Sequence, residues 1–273
     1  MTPQQILAQH GSSFYWASRL LRRQDALDIS VLYAACRLID DWADEVDDRA
    51  DDLAELADAL TRADTARLPV VGFADMVQRR QLNLAPLAQL AQMALKEAQH
   101  PTLIATPAEL DHYCYAVAGT VGELMCPLLG AHSPEAQQPA IALGQAMQMT
   151  NIARDVLEDA QMGRRYLPAT WVNDLSPAAI ASADPEHQAL LQAAIARLLS
   201  LAENHYEQAQ FGLPLLPWRN RQAIRVAAEQ YRHIGLRLLA KDCRYWEGRV
   251  FLTTQQRLLL TIKTLLGWRH EAL

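Results

Sequence analysis

Residues 33–48 read YAACRLIDDWADEVDD; on a helix, Tyr33, Arg37, Asp40 and Asp44 fall at steps of four, three and four, along one face. Leu32, Ala35, Cys36, Ile39 and Ala43 beside them are apolar, so the spacing predicts a packed helix whose polar stripe looks into something. A solvated acidic face is the competing explanation. Carboxylates one turn apart weakly destabilise a helix, a penalty that a bound cation removes. Residues 148–168, QMTNIARDVLEDAQMGRRYLP, repeat the pattern with Gln148, Asn151, Asp155 and Asp159 at steps of three, four and four. Mg²⁺ takes hard oxygen ligands, usually one or two protein carboxylates per ion with phosphate and water completing the shell. Two such helices facing each other would form a two-sided oxygen cage for a metal-bridged diphosphate. Arg37, Arg154, Arg164 and Arg165 would take the remaining phosphate charge.

Outward from these stripes, apolar residues recur at spacings of three and four, and alternating β-branched runs are nearly absent. The chain is predicted to be all-α: a single-domain helical bundle over residues 1–273. Thr106 and Ser176, each followed by Pro, are expected N-caps, and residues 50–65 an amphipathic helix. A third helical segment, HYCYAVAGTVGELMCPLLG at residues 112–130, carries Gly119 and Gly122 in mid-helix, each costing about 1 kcal/mol against alanine. Close helix packing explains them; so does a wall kept low for a long hydrocarbon chain.

The net charge of −6 argues against a nucleic-acid partner. Cys36, Cys114, Cys126 and Cys243 lie far apart without metal-ligand spacing and read as small core residues of a reducing compartment. Without a secretory segment at the start or an apolar run of spanning length, the expected location is the cytoplasm. The last helix, LLLTIKTLLGW at 258–268, is expected to complete the bundle or to rest on the inner face of a membrane.

These motifs together resemble the squalene/phytoene synthases. The likeness is carried by Tyr33-x-x-x-Arg37-x-x-Asp40-Asp41-x-x-Asp44-Glu45, by Tyr113 to Gly122, by Gln148-x-x-Asn151-x-x-Arg154-Asp155-x-x-x-Asp159, and by Gly163-Arg164-x-Tyr166-Leu167-Pro168. It runs from about Ser12 to the last helix, and residues 206–235 look most like bacterial phytoene synthases. The resemblance implies an isoprenoid-synthase fold with a central cavity and head-to-head joining of two prenyl diphosphates. Two geranylgeranyl diphosphates would give phytoene; a C30 synthase acting on farnesyl diphosphate is the alternative. It implies Mg²⁺, or Mn²⁺ in its place, on Asp40, Asp44, Asn151, Asp155 and Asp159, and NADPH only if the product is squalene. Tyr33, Arg37, Gln148, Arg154 and Tyr231 would contact diphosphate or the reacting carbons; Tyr113 and Val117 would touch substrate, and Tyr166 would join the catalytic set. The segment His10, Gly11, Ser12, Ser13 and Phe14 would border the diphosphate, although many members carry Ser-Lys-Ser-Phe there. Residues 93–105, MALKEAQHPTLIA, match the pattern of an acidic residue before the third motif poorly, which predicts altered loop packing with the chemistry kept.

Tyr33, Tyr113 and Tyr166 have faces and hydroxyls suited to a carbocation or its proton. Ser18, one turn past Phe14, and Ser30, one turn before Tyr33, are small; if their faces line the tunnel they leave room for a C20 chain, unless Trp16 closes it. A di-iron bundle would rest on paired Glu-x-x-His motifs such as Glu109-x-x-His112, and neither carboxylate stripe carries a histidine. A non-catalytic prenyl-lipid binder remains the reading from another class.

Overall fold

The computed structural model describes residues 1–44 and 49–267; Glu45 of the first motif and Trp268 lie outside them. The described chain is helical throughout: α1 (Pro3–His10), α2 (Ser12–Ser18), α3 (Arg23–Asp44), α4 (Ala50–Thr61), α5 (Phe73–Arg80), α6 (Ala85–Gln99), α7 (Pro107–Cys114), α8 (Thr120–Leu128), α9 (Gln137–Gln161), α10 (Pro177–Ala181), α11 (Pro185–Ala209), α12 (Trp218–Leu239) and α13 (Thr254–Leu265). A π turn at Tyr115–Gly119 joins α7 to α8, and a 3-10 turn at Gln210–Leu215 joins α11 to α12. The expected caps form: Thr106 and Ser176 accept from the backbone N–H of Glu109 and Ala179, both at 3.2 Å. The 50–65 segment supplies α4, whose Leu53, Leu56 and Leu60 are buried.

Two buried apolar clusters flank the middle of the molecule. One gathers Ile152 and Val156 of α9 with Leu191, Ile195 and Leu198 of α11 and Val226 of α12. The other gathers Leu32 and Ile39 of α3 with Leu53 and Leu56 of α4, Leu87 of α6 and Leu124 of α8. Burying such a side chain contributes about 1.5–3 kcal/mol, so the inward faces of α3 and α9 are held by their apolar flanks while their polar stripes are left unpacked. The first residues of α3 are pinned by charge: Asp28 accepts from Arg79 and from Arg80 Nε at 2.7 Å, and Asp25 from Arg80 Nη2 at 2.7 Å and Asn220 Nδ2 at 3.0 Å. Asn220, the third residue of α12, also donates to the Leu129 carbonyl at 2.9 Å.

Of the two mid-helix glycines, Gly119 only packs closely, against Tyr115 and Ile141, whereas Gly122 both packs closely and lines the cavity, as does Gly144 of α9. A Cβ on Gly122 would lie 2.2 Å from the Ala140 carbonyl oxygen, and one on Gly144 2.1 Å from that of Ala118, so each glycine receives the backbone of the facing helix. Ala118, Gly122 and Gly144 also line the central cavity. The last turn of α9 closes with Gly163 in the left-handed region (φ 77°): its N–H donates to the Ala160 carbonyl at 3.0 Å, and that of Arg164 to the Asp159 carbonyl at 2.9 Å. That turn sends the following residues back across the bundle, where Arg165 pairs with Leu103 in an isolated parallel bridge.

The terminal helix joins the bundle only in part. Leu260 and Thr264 of α13 are buried, while Leu258, Leu259, Ile262 and Leu265 face outward. Among the described residues no helix is long and apolar enough to cross a membrane.

Replacing Gly122 or Gly144 by Ala should destabilise the protein by about 1–3 kcal/mol each, because overpacking against a backbone carbonyl outweighs the gain in helix propensity. Urea midpoints unchanged from the parent would refute the close crossing.

Candidate active site

Between the two clusters lies a cavity of about 250 Å³. On the α9 wall, Pro139, Leu143, Met147 and Asn151 recur every fourth residue, a span of about 18 Å at 1.5 Å per residue. The opposite walls come from Ile29, Leu32, Tyr33 and Cys36 of α3 and from Val117, Val121 and Met125 around the π turn. One end is polar, where Asp40, Gln148, Asn151, Tyr33 and Tyr231 meet; the rest is almost wholly apolar. Phe14 sits among the aromatics of that end, its ring centroid 5.5 Å from Tyr231 and 6.4 Å from Tyr33.

The two stripes confront each other at the polar end. Arg164 Nη2 donates to Asp44 Oδ1 at 2.9 Å, and its charge also acts on Asp159, so one guanidinium spans both motifs. Arg154 makes a forked pair with Asp155, and Arg249, which the sequence reading missed, adds Nε to Asp155 Oδ1 at 2.9 Å. Arg37 pairs with Asp41 at 2.6 Å, yet its Nε is buried without a partner, as is Asn151 Oδ1. Burial pushes the Asp159 carboxyl up to about 7, with Asp155 adding to the rise and Arg164 opposing it. Asp40 is accessible from inside the cavity while protein packs around it; that desolvation pushes its carboxyl to about 7 as well, against Arg37 and with Glu97 and Asp44. Among the described residues no three carboxylate, histidine or cysteine side chains converge into a ready-made metal cluster.

Glu97 is the second residue the sequence reading missed. It lies in the 93–105 stretch that fits the family pattern poorly, and it is an acid before the third motif after all. Its Oε1 accepts from Tyr166 Oη at 2.9 Å and Thr102 Oγ1 at 2.8 Å, and its Oε2 from Tyr113 Oη at 3.3 Å. The Tyr113 and Tyr166 rings lie 4.9 Å apart. Both tyrosines thus stand behind the polar end on a shared carboxylate, not on the cavity wall. The MALKEAQ spacing alone could have put Glu97 on the inner face of α6, but only the fold brings it to the tyrosines.

Other expected positions are placed differently. Arg165 is buried and committed to Asp174 at 2.9 Å and the Leu175 carbonyl at 2.7 Å, so it cannot serve a phosphate. Ser30 turns its hydroxyl to the Ala26 carbonyl of its own helix and Ser18 to that of Tyr15; neither lines the cavity. Trp16 is stacked under Arg19 and does not close it. His10 is exposed, Ser13 is buried, and Gly11 is pressed against Tyr33, where a Cβ would lie 2.9 Å from the ring. The Ser12 side chain lies outside the described residues; of the described side chains in that segment Phe14 alone lines the cavity. Cys36 and Cys126 line it too, whereas Cys114 and Cys243 are core residues as expected.

Because the folded-state pKa of Asp159 lies above its ordinary 3.8, its neutral form favours the fold, and that contribution is full below about pH 4 and lost as pH rises through about 7. Asp159→Asn should therefore flatten the fall in metal-free Tm across that window; a Tm profile identical to the parent's would contradict the buried carboxyl. Glu97→Ala should cost about 1–3 kcal/mol for each tyrosine hydroxyl left unpaired, and Glu97→Gln distinctly less, read from urea midpoints.

The squalene/phytoene synthase family model matches residues 7–256. A 15-cis-phytoene synthase of Enterobacter agglomerans is 31% identical over 92% of this chain and 89% of its own length. A phytoene synthase of Thermus thermophilus is 34% identical over 97% of this chain and 91% of its own. A crystal structure of a dehydrosqualene synthase in complex with ligand superposes with a TM-score of 0.82 at 29% identity, covering 97% of this chain and 94% of that one. The all-α fold with its cavity is the isoprenoid-synthase type, and the chain belongs to the squalene/phytoene synthase family.

Proposed function

We propose that this protein is a metal-dependent prenyltransferase that joins two geranylgeranyl diphosphates head to head, giving phytoene and releasing diphosphate. The observation that carries the reading is a long apolar cavity with a single polar end at which two carboxylate stripes meet. Phytoene synthases of two bacteria, similar over nine-tenths of the chain, support the C40 product over the C30 alternative. We take the whole chain as one catalytic unit, since the cavity draws its walls from Leu7 to Tyr231. Four unpaired cysteines support a cytoplasmic location.

The residues present fit a hard divalent cation. Asp40 and Asp44 on one side and Asn151, Asp155 and Asp159 on the other would hold Mg²⁺, and the unpartnered Asn151 Oδ1 is an oxygen available for it. Bound there, Mg²⁺ would neutralise charge on the departing diphosphate. Asp44 and Asp155 are held by Arg164, Arg154 and Arg249, and these guanidiniums can shift to phosphate oxygens when the carboxylates take up a cation. Arg37 Nε offers a further unpartnered donor.

In the reaction, the C1–O bond of one substrate breaks and its electron pair leaves with the diphosphate. The C2=C3 double bond of the second substrate attacks the allylic cation, and loss of a proton closes a cyclopropylcarbinyl diphosphate. A second ionisation, rearrangement and proton loss give the central triene with no reductant. The faces of Tyr33, Phe14 and Tyr231 surround the polar end and can stabilise the cation, and burial pushes the Tyr33 phenol up to about 12, which keeps it neutral. The apolar wall excludes water that would quench the cation. Glu97 fixes Tyr113 and Tyr166 behind the site.

Purified protein with Mg²⁺ and geranylgeranyl diphosphate should yield a C40 triene and free diphosphate; a C30 product from farnesyl diphosphate alone would move the assignment, and no diphosphate from either would overturn it. Asp40→Asn or Asp155→Asn should lower turnover by about 10²–10³, the usual loss for one electrostatic stabiliser. Ala140→Phe, which projects a ring into the apolar end of the α9 wall, should shift preference from the C20 to the C15 substrate. An unshifted ratio in a variant of parental Tm would show that chain length is set elsewhere.

A further inference from the structure

The apolar end of the cavity is closed by the Gln210–Leu215 turn and the residues that follow it. Gly212, Leu213 and Leu216 face inward and line the cavity. Their neighbours point the other way: Phe211 is 77% exposed, Leu215 40% and Trp218 69%. One short segment is therefore lined by hydrocarbon on both sides, with the cavity beneath and solvent above. An aromatic pair so exposed costs solubility unless something covers it.

The charge around this edge says what that is. Arg219 follows Trp218, and the Asn220–Asp25 bond ties the start of α12 to the start of α3, where Arg22 and Arg23 are exposed. Among the described residues none of these three arginines meets a carboxylate, in contrast to Arg79 and Arg80 close by, which are spent on Asp25 and Asp28. Acids adjoin the turn at Glu135, just ahead of α9, and at Glu207, in the last turn of α11, while Glu123 accepts from Gln137 and Tyr115. Free cations beside exposed aromatics, in a chain of net charge −6, match an anionic lipid surface: Trp and Phe seat at the headgroup level and each nearby Arg gains from the surface potential.

We propose that the edge made by Phe211, Leu215, Trp218, Arg219, Arg22 and Arg23 docks on an anionic lipid bilayer and sets the apolar end of the cavity against it. The inference rests on the proposed activity in one respect: a product without any polar group has to pass from the cavity into lipid. The exposed face of α13 is the rival surface, but it lies at the opposite, polar end. Gln230 bonds Thr261 across to it at 3.4 Å, and Arg257 acts on Tyr231. A bilayer there would meet the diphosphates.

The test is sedimentation of the full chain with sucrose-loaded vesicles, of phosphatidylcholine alone or mixed with phosphatidylglycerol, without substrate. The parent should bind the anionic vesicles about tenfold better than the neutral ones and lose that margin in high salt. Phe211→Ala/Trp218→Ala should lower binding about tenfold, and Arg22→Gln/Arg23→Gln/Arg219→Gln should reduce it to the neutral-vesicle level, each at parental Tm. Leu258→Ser/Ile262→Ser should bind as the parent does. Binding unchanged in the aromatic pair, binding lost in the α13 pair, or no binding by the parent would each overturn the proposal. Diphosphate release in detergent, equal in the parent and the aromatic pair, is measured separately, so its absence in the parent would sink the catalytic reading alone.

Discussion

Carboxylates set inside an apolar bundle are tolerated only when a countercharge comes with them, and this fold is arranged around that requirement. Asp155 is held by Arg154 and Arg249, and Asp44 by Arg164, which reaches across from the end of α9. Asp155 is only 16% exposed, and without its partners its desolvation would cost several kcal/mol, whereas the pair at the largely exposed Asp44 contributes at most about 1 kcal/mol. The guanidiniums thus supply the countercharge that the two stripes require. At the other end of α3, Asp25 and Asp28 are neutralised by Arg79 and Arg80 in the same way. The helix is clamped by charge at both ends and by hydrocarbon along its flanks, which fixes where its stripe points.

The second constraint is the crossing at Gly122 and Gly144. Because each helix presents a backbone carbonyl where the other lacks a Cβ, the wall made by the π turn and α8 sits low against α9. The π turn belongs to the same arrangement: extra residues in a turn let Val117 and Ala118, then Val121 and Gly122, then Met125 and Cys126 keep facing the cavity. Packing and function are therefore not alternatives at these glycines.

What was legible in the sequence was whatever repeats with the helix. The two stripes, the N-caps at Thr106 and Ser176 and the amphipathic α4 all follow from spacing, and the fold class with them. What was not legible depends on where chain ends turn. Arg165 differs from Arg164 by one residue, yet the left-handed Gly163 and the bridge to Leu103 send one into the site and the other into the core. Ser18 stands four residues after Phe14 and Ser30 three before Tyr33, which turns them about 40° and 60° around their helices from those side chains, and both hydroxyls satisfy carbonyls of their own helices. Glu97 had no visible partners until α6 was laid against Tyr113 and Tyr166.

Cys36 and Cys126 look out of place in the wall of a vessel for allylic cations, since a thiolate would capture such an electrophile and alkylate the enzyme. Burial is the main force that pushes both thiols up, with Asp40 adding to it at Cys36 and Glu123 at Cys126. The same dryness that protects a cation from water thus keeps the sulfur protonated and poorly nucleophilic. The lining is passivated against its own intermediate, and loosening the cavity would expose the protein to self-inactivation before it lost its shape.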